Sequence, residues 1–296
     1  MMRKTLVFII LLGGLTRSLS AQVVPEADIL ASPEYWGIAR SGGALKDLPD
    51  QVWINPSLIP GTFKYSLSAN LALMPADIRV SQLTGRYQIK KHVFSGGINY
   101  ENYGDFERLD TEGYSSGNFS AGRTQYFSAW SYLLSSRLQV GASFRYVSEN
   151  IASSRENFSV LTYGLTIIPV ADKTRVSLAY TDYPEPMEDE IRISLSHPLL
   201  YLPLTMNLDY RTRGDHDIEN LTLGGYFRSG SPLEFLAGLD FRRGGLQSNS
   251  LGQDYIAGLA MGGRYRYNKV TLQFSFFSYG GLGTVSTFGV NYYHGS

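Results

Sequence analysis

The chain contains no cysteine among its 296 residues. Disulfide scaffolds, thiolate metal sites, cysteine nucleophiles and a lipid-modified N-terminal cysteine are therefore excluded. An excess of one charge is also missing, since 26 Lys and Arg residues balance 26 Asp and Glu residues. A balanced chain has no overall field with which to attract nucleic acid, so we expect no nucleic-acid partner.

Long apolar runs are scarce, and the clearest one extends only from Leu6 to Leu15. A membrane-spanning helix needs roughly 20 such residues, so a transmembrane anchor is the weaker interpretation. The run follows a short basic end, Met1 to Lys4, and precedes the small-x-small pattern Ser18-Leu19-Ser20. We therefore predict that residues 1–20 are a secretory signal peptide that the mature protein lacks.

Residues with catalytic or metal-binding spacing are missing as well. The four histidines are dispersed among predicted turns and chain ends: His92, His197, His216 and His294. None has the spacing of metal ligands, and none lies inside a strand where it could activate a serine. We predict that the protein is not an enzyme and uses no cofactor or metal. A cation site at Asp215-His216-Asp217 is the weaker alternative to a solvated loop.

What the sequence does contain is a repeated alternation of apolar and polar residues from about Thr62 to Tyr293. In one such stretch, Leu138, Val140, Ala142, Phe144 and Tyr146 alternate with small or polar residues. A helix would need apolar spacings of three and four, which these stretches do not show. Segments of about ten alternating residues closed by turns are typical of a transmembrane β-barrel.

We predict an all-β fold, a transmembrane antiparallel β-barrel of about 14 strands with a short N-terminal plug. Seven prolines fall at strand edges or in connections, as a fully paired ladder requires. A change of phase between Val80 and Leu83 predicts a bulge in the second strand. The predicted strands are 62–72, 76–88, 91–103, 119–133, 137–148, 157–168, 173–182, 188–197, 203–212, 217–228, 233–243, 253–267, 269–279 and 284–293.

The connections between these strands are alternately short and long. Tight turns are predicted at Ile89-Lys90, Leu134 to Ser136, Ala171-Asp172, His197 to Tyr201, Ser229 to Ser231 and Asn268. Longer loops are predicted at 104–118, 149–156, 182–187, 212–216, 244–251 and 280–283. This arrangement matches the periplasmic and extracellular ends of outer-membrane barrels and predicts that both chain termini lie in the periplasm. A soluble sandwich or propeller is the alternative, but we find no repeat of fixed period.

Aromatic residues are frequent, with 21 Tyr and 15 Phe, and many lie near strand ends. Such residues favour two interfacial belts, although tyrosine is also simply a good strand former. The candidate belt residues are Tyr65, Tyr87, Tyr100, Tyr103, Trp130, Tyr132, Tyr146, Tyr180, Tyr210, Phe227, Tyr265, Tyr267, Phe277, Tyr279, Tyr292 and Tyr293.

Residues 21–61 differ from the rest because they are rich in proline and lack the alternation. Their apolar content, which includes Trp36 and Trp53, predicts packing rather than disorder. We therefore divide the chain into a signal peptide (1–20), a plug inside the lumen (21–61) and a barrel (62–296).

Two ordered motifs resemble those of a known family. The first is Ser41 to Asp50 followed by Asn55-Pro56-Ser57-Leu58, and the second combines Gly96 to Phe106 with Asp110 to Gly113 and Gly117 to Ala121. Both are similar to segments of the PorV/PorQ family, which is related to the FadL outer-membrane transporters. The resemblance implies a fourteen-stranded barrel with an N-terminal hatch. It also implies that the plug motif includes Gly42, Gly43, Asp50, Asn55 and Pro56.

The alternation places nine charged residues toward the lumen or its rims, because a charge facing lipid costs about 2–4 kcal/mol at mid-bilayer. They are Arg145, Arg175, Arg192, Asp209, Arg211, Asp240, Arg242, Arg264 and Arg266. We expect these residues to hold the plug, with Asp47 and Asp50 as candidate partners. A selectivity surface is the alternative.

Two functions from different classes follow from the resemblance. PorV/PorQ members imply a plugged barrel associated with type IX secretion, whose partners are secretion-system or surface proteins. FadL members imply a transporter of hydrophobic or small solutes, with a hydrophobic ligand. In both cases outer-membrane lipids surround the barrel. A continuous apolar route from the loops to the plug would favour transport, and a lumen sealed at Asn55-Pro56 would favour the secretion role.

Overall fold

The computed structural model describes residues 29–45, 48–58, 63–109, 114–152, 154–169, 174–213, 217–228, 230–242 and 256–295. The predicted signal peptide, Asp47 and the Asp215-His216 pair lie outside these residues. Within the described ranges, no helix has both the length and the apolar character needed to cross a membrane.

Fourteen antiparallel strands form a closed barrel in which each strand pairs with its sequence neighbours and the first pairs with the last. The predicted architecture and strand number are thus confirmed. The strands are β1 (Tyr65–Leu73), β2 (Arg79–Ile89), β3 (His92–Leu109), β4 (Ser115–Ser135), β5 (Leu138–Ile151), β6 (Ser154–Ile167), β7 (Arg175–Asp182), β8 (Glu190–Pro198), β9 (Leu204–Arg213), β10 (Asp217–Arg228), β11 (Leu233–Asp240), β12 (Leu259–Tyr267), β13 (Val270–Ser278) and β14 (Thr284–His294).

The barrel wall has an apolar outer face and a polar inner face. In β1, for example, Leu67 and Leu71 are exposed, whereas Ser68 and Asn70 between them are buried. Side chains of a strand point alternately to its two sides, so the alternation of the sequence becomes two surfaces. The outer surface suits lipid, and the inner surface needs polar partners.

The two ends of the barrel differ. Tyr65, the first residue of β1, pairs with His294, the last of β14, so the first strand begins and the last strand ends at one end of the barrel. The tight turns Lys90-Lys91, Ser136-Arg137 and Asn268-Lys269 lie at this same end, which we call the terminal end. The opposite end is called the loop end. The periplasmic position of the termini stays a prediction.

Two predicted long loops are instead paired strands. Where a loop was predicted at 104–118, β3 continues to Leu109 and β4 begins at Ser115, with Phe106 opposite Phe119. Where one was predicted at 149–156, β5 reaches Ile151 and β6 begins at Ser154. The predictions were wrong because these polar segments have no apolar face, yet the ladder pairs their backbones. Strands β3 to β6 are therefore the longest of the described strands, with 18, 21, 14 and 14 residues.

Two further predictions about strands were wrong. The expected bulge in β2 is absent from its described pairing, which runs in unbroken register with β1 and β3. The apparent change of phase arises because apolar Val80 points inward and packs in the lumen, while Leu83 faces outward. Also, β12 begins at Leu259 rather than 253.

Residues 29–45 and 48–58, which we call the lumenal segment, lie inside the barrel. Helix α1 (Pro33–Gly37) packs against β11, β12, β13 and β14, and a 3₁₀ turn (Pro49–Trp53) packs against β1 and β2. Pro33 and Pro49 each occupy the start of their helical turn, where the missing N–H costs nothing. Nearly every described residue of the segment is buried.

Candidate functional site

The candidate site is the lumen, where the inner wall holds the lumenal segment. On one side, Glu34 of α1 lies 3.1 Å from Arg264 of β12, which also lies 3.1 Å from Glu234 of β11. Asn291 of β14 donates a hydrogen bond to Glu34 at 3.3 Å. Burial raises the pKa of Glu34 to about 7, and the nearby Arg264 opposes this rise.

A second anchor lies where α1 ends. Arg40 pairs with Asp240 of β11 at 2.5 Å, and Arg242 approaches the same carboxylate at 3.3 Å. The guanidinium of Arg40 also lies over the rings of Trp36 and Phe277, 5.8 and 5.6 Å from their centres. Burial lowers the pKa of Arg40 to about 10, and the charge of Arg242 acts in the same direction. This pair is closed off from water, with side-chain exposures of 2% and 0%.

The plug motif residues make specific contacts with the wall. The backbone N–H of Gly43 donates to Asp209 of β9 at 3.0 Å, and its carbonyl accepts from Asn55 at 2.8 Å. Ser131 of β4 donates to the Pro56 carbonyl at 2.5 Å. Because Gly42 lies against Gln51, a Cβ there would overlap the glutamine side chain. The motif therefore joins the two halves of the lumenal segment and fixes both to the barrel.

Glycines on the inner wall let the lumenal segment approach the backbone. A Cβ on Gly141 of β5 would overlap the carbonyl of Pro56, and one on Gly164 of β6 would overlap the side chain of Asn55. On the other side of the lumen, Gly238 of β11 is similarly close to Ile38. Glycine in a strand often marks such a close approach.

Among the described residues, Asp50 forms no ion pair with the charged wall residues for which it was a candidate partner. Its carboxylate accepts hydrogen bonds from Ser68 at 2.9 Å, Asn70 at 2.8 Å and Gln82 at 3.4 Å, all on β1 and β2. Burial raises the pKa of Asp50, and the hydrogen bonds from Asn70 and Ser68 oppose the rise. The 3₁₀ turn places Asp50 beside this neutral polar wall, so three donors replace the predicted ion pair.

The remaining charged residues that we predicted to face the lumen occupy several positions. Arg192, Arg211 and Arg213 surround Glu190 at 3.1, 3.8 and 2.8 Å, and Arg192 also lies 3.7 Å from Asp209. Three others differ in exposure: Arg145 is fully buried, Arg175 is partly buried, and Arg266 is 38% exposed and lies 3.8 Å from Glu234.

Several residues of the lumen were not predicted from the sequence. Glu34 and Arg40 lie in a segment without alternation, so no pattern showed which way they point. Glu190 and Glu234 lie on the polar face of alternating strands, and the period-two argument would have found them. Phe277, Tyr279 and Tyr293 were predicted as belt residues, yet Phe277 and Tyr293 are buried and Tyr279 packs against the core.

The inner wall also carries an apolar patch near the loop end. Val147 of β5, Val160 of β6 and Tyr183 are buried together, and Phe158 and Met187 pack against them. We call these five residues the loop-end apolar cluster. Arg213 lies over the Tyr183 ring at 5.4 Å, so a charge borders the cluster.

A second apolar strip leads from the loop end to the lumenal segment. Met74, Ile78 and Tyr279 lie in or beside connections at the loop end and pack against a core that includes Trp36 and Phe277. Farther along the same core, Trp53 stacks on Phe127 of β4, with ring centres 4.2 Å apart. Apolar side chains thus connect the loop end to both halves of the lumenal segment.

The comparisons with known proteins concern the fold. No protein-family model and no curated protein matches the sequence. Among solved structures, the chain is similar to the CymD monoaromatic hydrocarbon channel, with 12% identity, a TM-score of 0.66 and coverage of 90% of this chain and 98% of that one. It is also similar to the P. putida toluene transporter TodX, with 12% identity, a TM-score of 0.56 and coverage of 89% and 100%.

These similarities show that the chain shares the barrel fold of the two proteins. The identities are too low to carry a ligand or a function from those proteins to this one. The narrower PorV/PorQ resemblance depends on the sequence motifs alone.

Proposed function

We propose that the protein is an outer-membrane transporter that passes small hydrophobic solutes through its lumen, with the lumenal segment as a hatch. The observation that carries this proposal is the loop-end apolar cluster. Outside this cluster and the apolar strip beside the lumenal segment, the described inner wall is lined largely by hydroxyl, amide and charged side chains. A pathway for ions or polar solutes has no need of an apolar patch.

The position of the cluster fits a first binding site. Val147 and Val160 lie on the inner face of β5 and β6, toward the hairpin turn that joins these strands at the loop end. Ligand sites are commonly apolar, with a few polar groups that fix orientation, and Arg213 beside Tyr183 is such a group. Elsewhere in the lumen, Tyr279 at the loop end packs against the core that contains Trp36 of the hatch, so a second group of apolar side chains lies between the loop end and the hatch. Two of the similar structures are a monoaromatic hydrocarbon channel and a toluene transporter, which supports the same solute class.

A plugged barrel that serves secretion is the second candidate, and one observation favours it. The lumenal segment is fixed on several sides of the lumen, through Glu34, Arg40, Gly43, Asp50 and Pro56. A segment held at so many points suits a barrel that displays its loops and keeps its lumen closed. This role predicts that hydrophobic solutes do not cross.

Uptake of labelled toluene by cells that carry the barrel in their outer membrane tests the proposal. Cells with the wild-type protein should take up toluene faster than cells without it. Replacing two apolar residues with Val147→Asn and Val160→Asn should slow uptake roughly tenfold, because about 1.5 kcal/mol of apolar contact is lost.

The matched control is Val147→Leu with Val160→Leu, which keeps the patch apolar and should retain uptake within about twofold. Heat-modifiable migration on a gel establishes that each variant is folded. Equal uptake with and without the wild-type barrel would overturn the transport proposal and favour the secretion role.

A further inference from the structure

A groove on the outer face of the barrel is not explained by the lumen. It has a volume of about 600 Å³ and lies at the terminal end of β1, β2, β3 and β14. Its outward-facing lining consists of Tyr65, Leu67, Gly85, Tyr87, Phe94, Gly96 and Tyr292, and we call it the outer groove.

The floor of the outer groove is a gap in the side chains of three adjacent strands. Gly85 of β2 pairs with Gly96 of β3, which pairs with Ser128 of β4. At strand spacings of about 4.8 Å, these residues leave a shallow strip about 10 Å long. Leu67 closes it on one side and Phe144 on the other, because they pair with Gly85 and Ser128.

The rows above and below this strip are apolar. Toward the terminal end lie Tyr87, Phe94 and Trp130 in register, and on the opposite side lie Leu83, Ile98 and Tyr126. All six side chains are 41% to 50% exposed on the outer face. The groove is therefore an apolar trough with an aromatic border.

Packing within the chain does not require the two glycines. A Cβ on Gly85 would come no closer than 3.9 Å to another atom, and one on Gly96 no closer than 3.6 Å, which are ordinary contacts. Glycine weakens a strand and often marks a place where a ligand approaches closely. On the inner wall, Gly141 and Gly164 serve the lumenal segment in this way. Since Gly85 and Gly96 face outward, whatever approaches them comes from outside the barrel.

Three lysines surround the terminal end of the groove. Lys90 and Lys91 form the turn between β2 and β3, and Lys64 directly precedes β1; all three are exposed. From Tyr87 to Lys90 the chain advances three residues, or about 10 Å at 3.3 Å per residue. Cations at this distance from an apolar trough match a lipid that has a negative headgroup and an acyl chain.

We propose that the outer groove binds one anionic phospholipid, with an acyl chain over Gly85 and Gly96 and its phosphate beside Lys64, Lys90 and Lys91. This inference depends on the barrel lying in a membrane and not on what the lumen transports. A second copy of the chain is a poorer occupant, because a symmetric contact here would bring two sets of lysines together.

The position of the tryptophans allows a direct test. Trp130 borders the groove on the outer face, whereas Trp36 and Trp53 are buried in the lumen, 0% and 2% exposed. In phosphatidylcholine vesicles, brominated phosphatidylglycerol should quench Trp130 at concentrations roughly three- to fivefold lower than brominated phosphatidylcholine does. Trp130→Phe supplies the background signal.

Two pairs of variants separate the parts of the site. The double variant Lys90→Gln with Lys91→Gln should abolish the preference for phosphatidylglycerol. The double variant Gly85→Val with Gly96→Val should fill the trough and reduce the ratio of the two quenching concentrations to about one. The matched controls are Lys269→Gln, in another turn at the same end, and Ala237→Val, on the outer face of β11; both should retain the preference. Heat-modifiable migration checks that each variant is folded.

Three outcomes would overturn the proposal. The first is equal quenching of the wild-type protein by the two lipids, and the second is a preference for phosphatidylglycerol that survives both groove variants. The third is a Trp130 that neither lipid quenches, which would show that a second copy covers the groove; cross-linking would then give a dimer.

Discussion

The inner and outer faces of the barrel wall are made by the same strands, yet two of their glycines, Gly141 and Gly96, have opposite surroundings. Gly141 on the inner face has no room for a side chain because Pro56 of the lumenal segment lies against it. Gly96 on the outer face has room, since its nearest neighbour would be 3.6 Å from a Cβ. At Gly141 the inner face therefore accommodates a partner within the chain, whereas at Gly96 the outer face leaves space that is open to the outside of the barrel.

The two faces also differ in the polar side chains that they carry and in how those side chains are paired. The inner face combines buried ion pairs, such as Arg40 with Asp240, and neutral networks, such as Asp50 with Asn70. The outer face has apolar side chains in the middle and aromatic residues with lysines at the terminal end. A buried charge depends on its partner, whereas an exposed apolar residue does not, so substitutions on the inner face should have the larger effects.

The largest effect is expected from breaking the buried pair between the lumenal segment and the wall. Asp240→Leu leaves the Arg40 guanidinium, which is 2% exposed, without its carboxylate. Removal of one partner of such a pair costs about 3–5 kcal/mol of unfolding free energy. The measurement is the urea midpoint of the folded form in detergent, followed by heat-modifiable migration.

The double variant Arg40→Met with Asp240→Leu is the control for this prediction. It removes both charges and should recover most of the lost stability, because an apolar pair often replaces a buried ion pair without loss. A double variant as unstable as Asp240→Leu would mean that Asp240 acts through Arg242 instead.

A smaller effect should separate the glycines of the two faces. Gly141→Val forces the Pro56 region away from the wall, and overpacking of this kind costs about 1–3 kcal/mol. The same change at Gly96 should alter stability by no more than about 0.5 kcal/mol. Single-channel conductance gives a second readout, because a displaced lumenal segment should raise it in Gly141→Val alone. Equal conductance in the two variants would contradict a close seal at Pro56.

The strands could be predicted from the sequence because alternation is a local property. Strand β13 was expected at 269–279 and lies at Val270–Ser278. The alternation did not predict the strand where neither side is continuously apolar, as in the extension of β3 to Leu109. There, pairing with β4 decides the structure, and pairing leaves no mark in the pattern of one strand.

The lumen was predictable only in part. The alternation of apolar and polar residues assigned Asp209 and Arg264 to the polar face. It does not show how far along the barrel axis these side chains lie or which residues they contact. Arg40 and Asp240 are 200 residues apart in sequence, so their contact depends on closure of the whole barrel. Asp50 illustrates this limit of the alternation. Its charge predicted a charged partner on the wall, but its position in the fold gives it hydrogen bonds from Ser68 and Asn70.

The smallest effect that we predict is a dependence of stability on pH through Glu34. The pKa of this carboxyl rises from 4.5 to about 7 in the folded protein because of burial, despite Arg264. The folded state therefore binds the proton more tightly than the unfolded state. The contribution of Glu34 to stability is complete below pH 4.5 and is lost as the pH rises through 7.

Glu34→Gln, which stays uncharged, should remove this dependence. Between pH 6 and pH 7 the wild-type protein should lose about 1 kcal/mol of unfolding free energy relative to Glu34→Gln. The matched control is Glu107→Gln on the exposed part of β3, which should follow the wild-type protein at both values. If Glu34→Gln and the wild-type protein lose stability in parallel, the carboxyl ionises normally beside Arg264, and the inner face would then hold α1 by a full ion pair throughout this range.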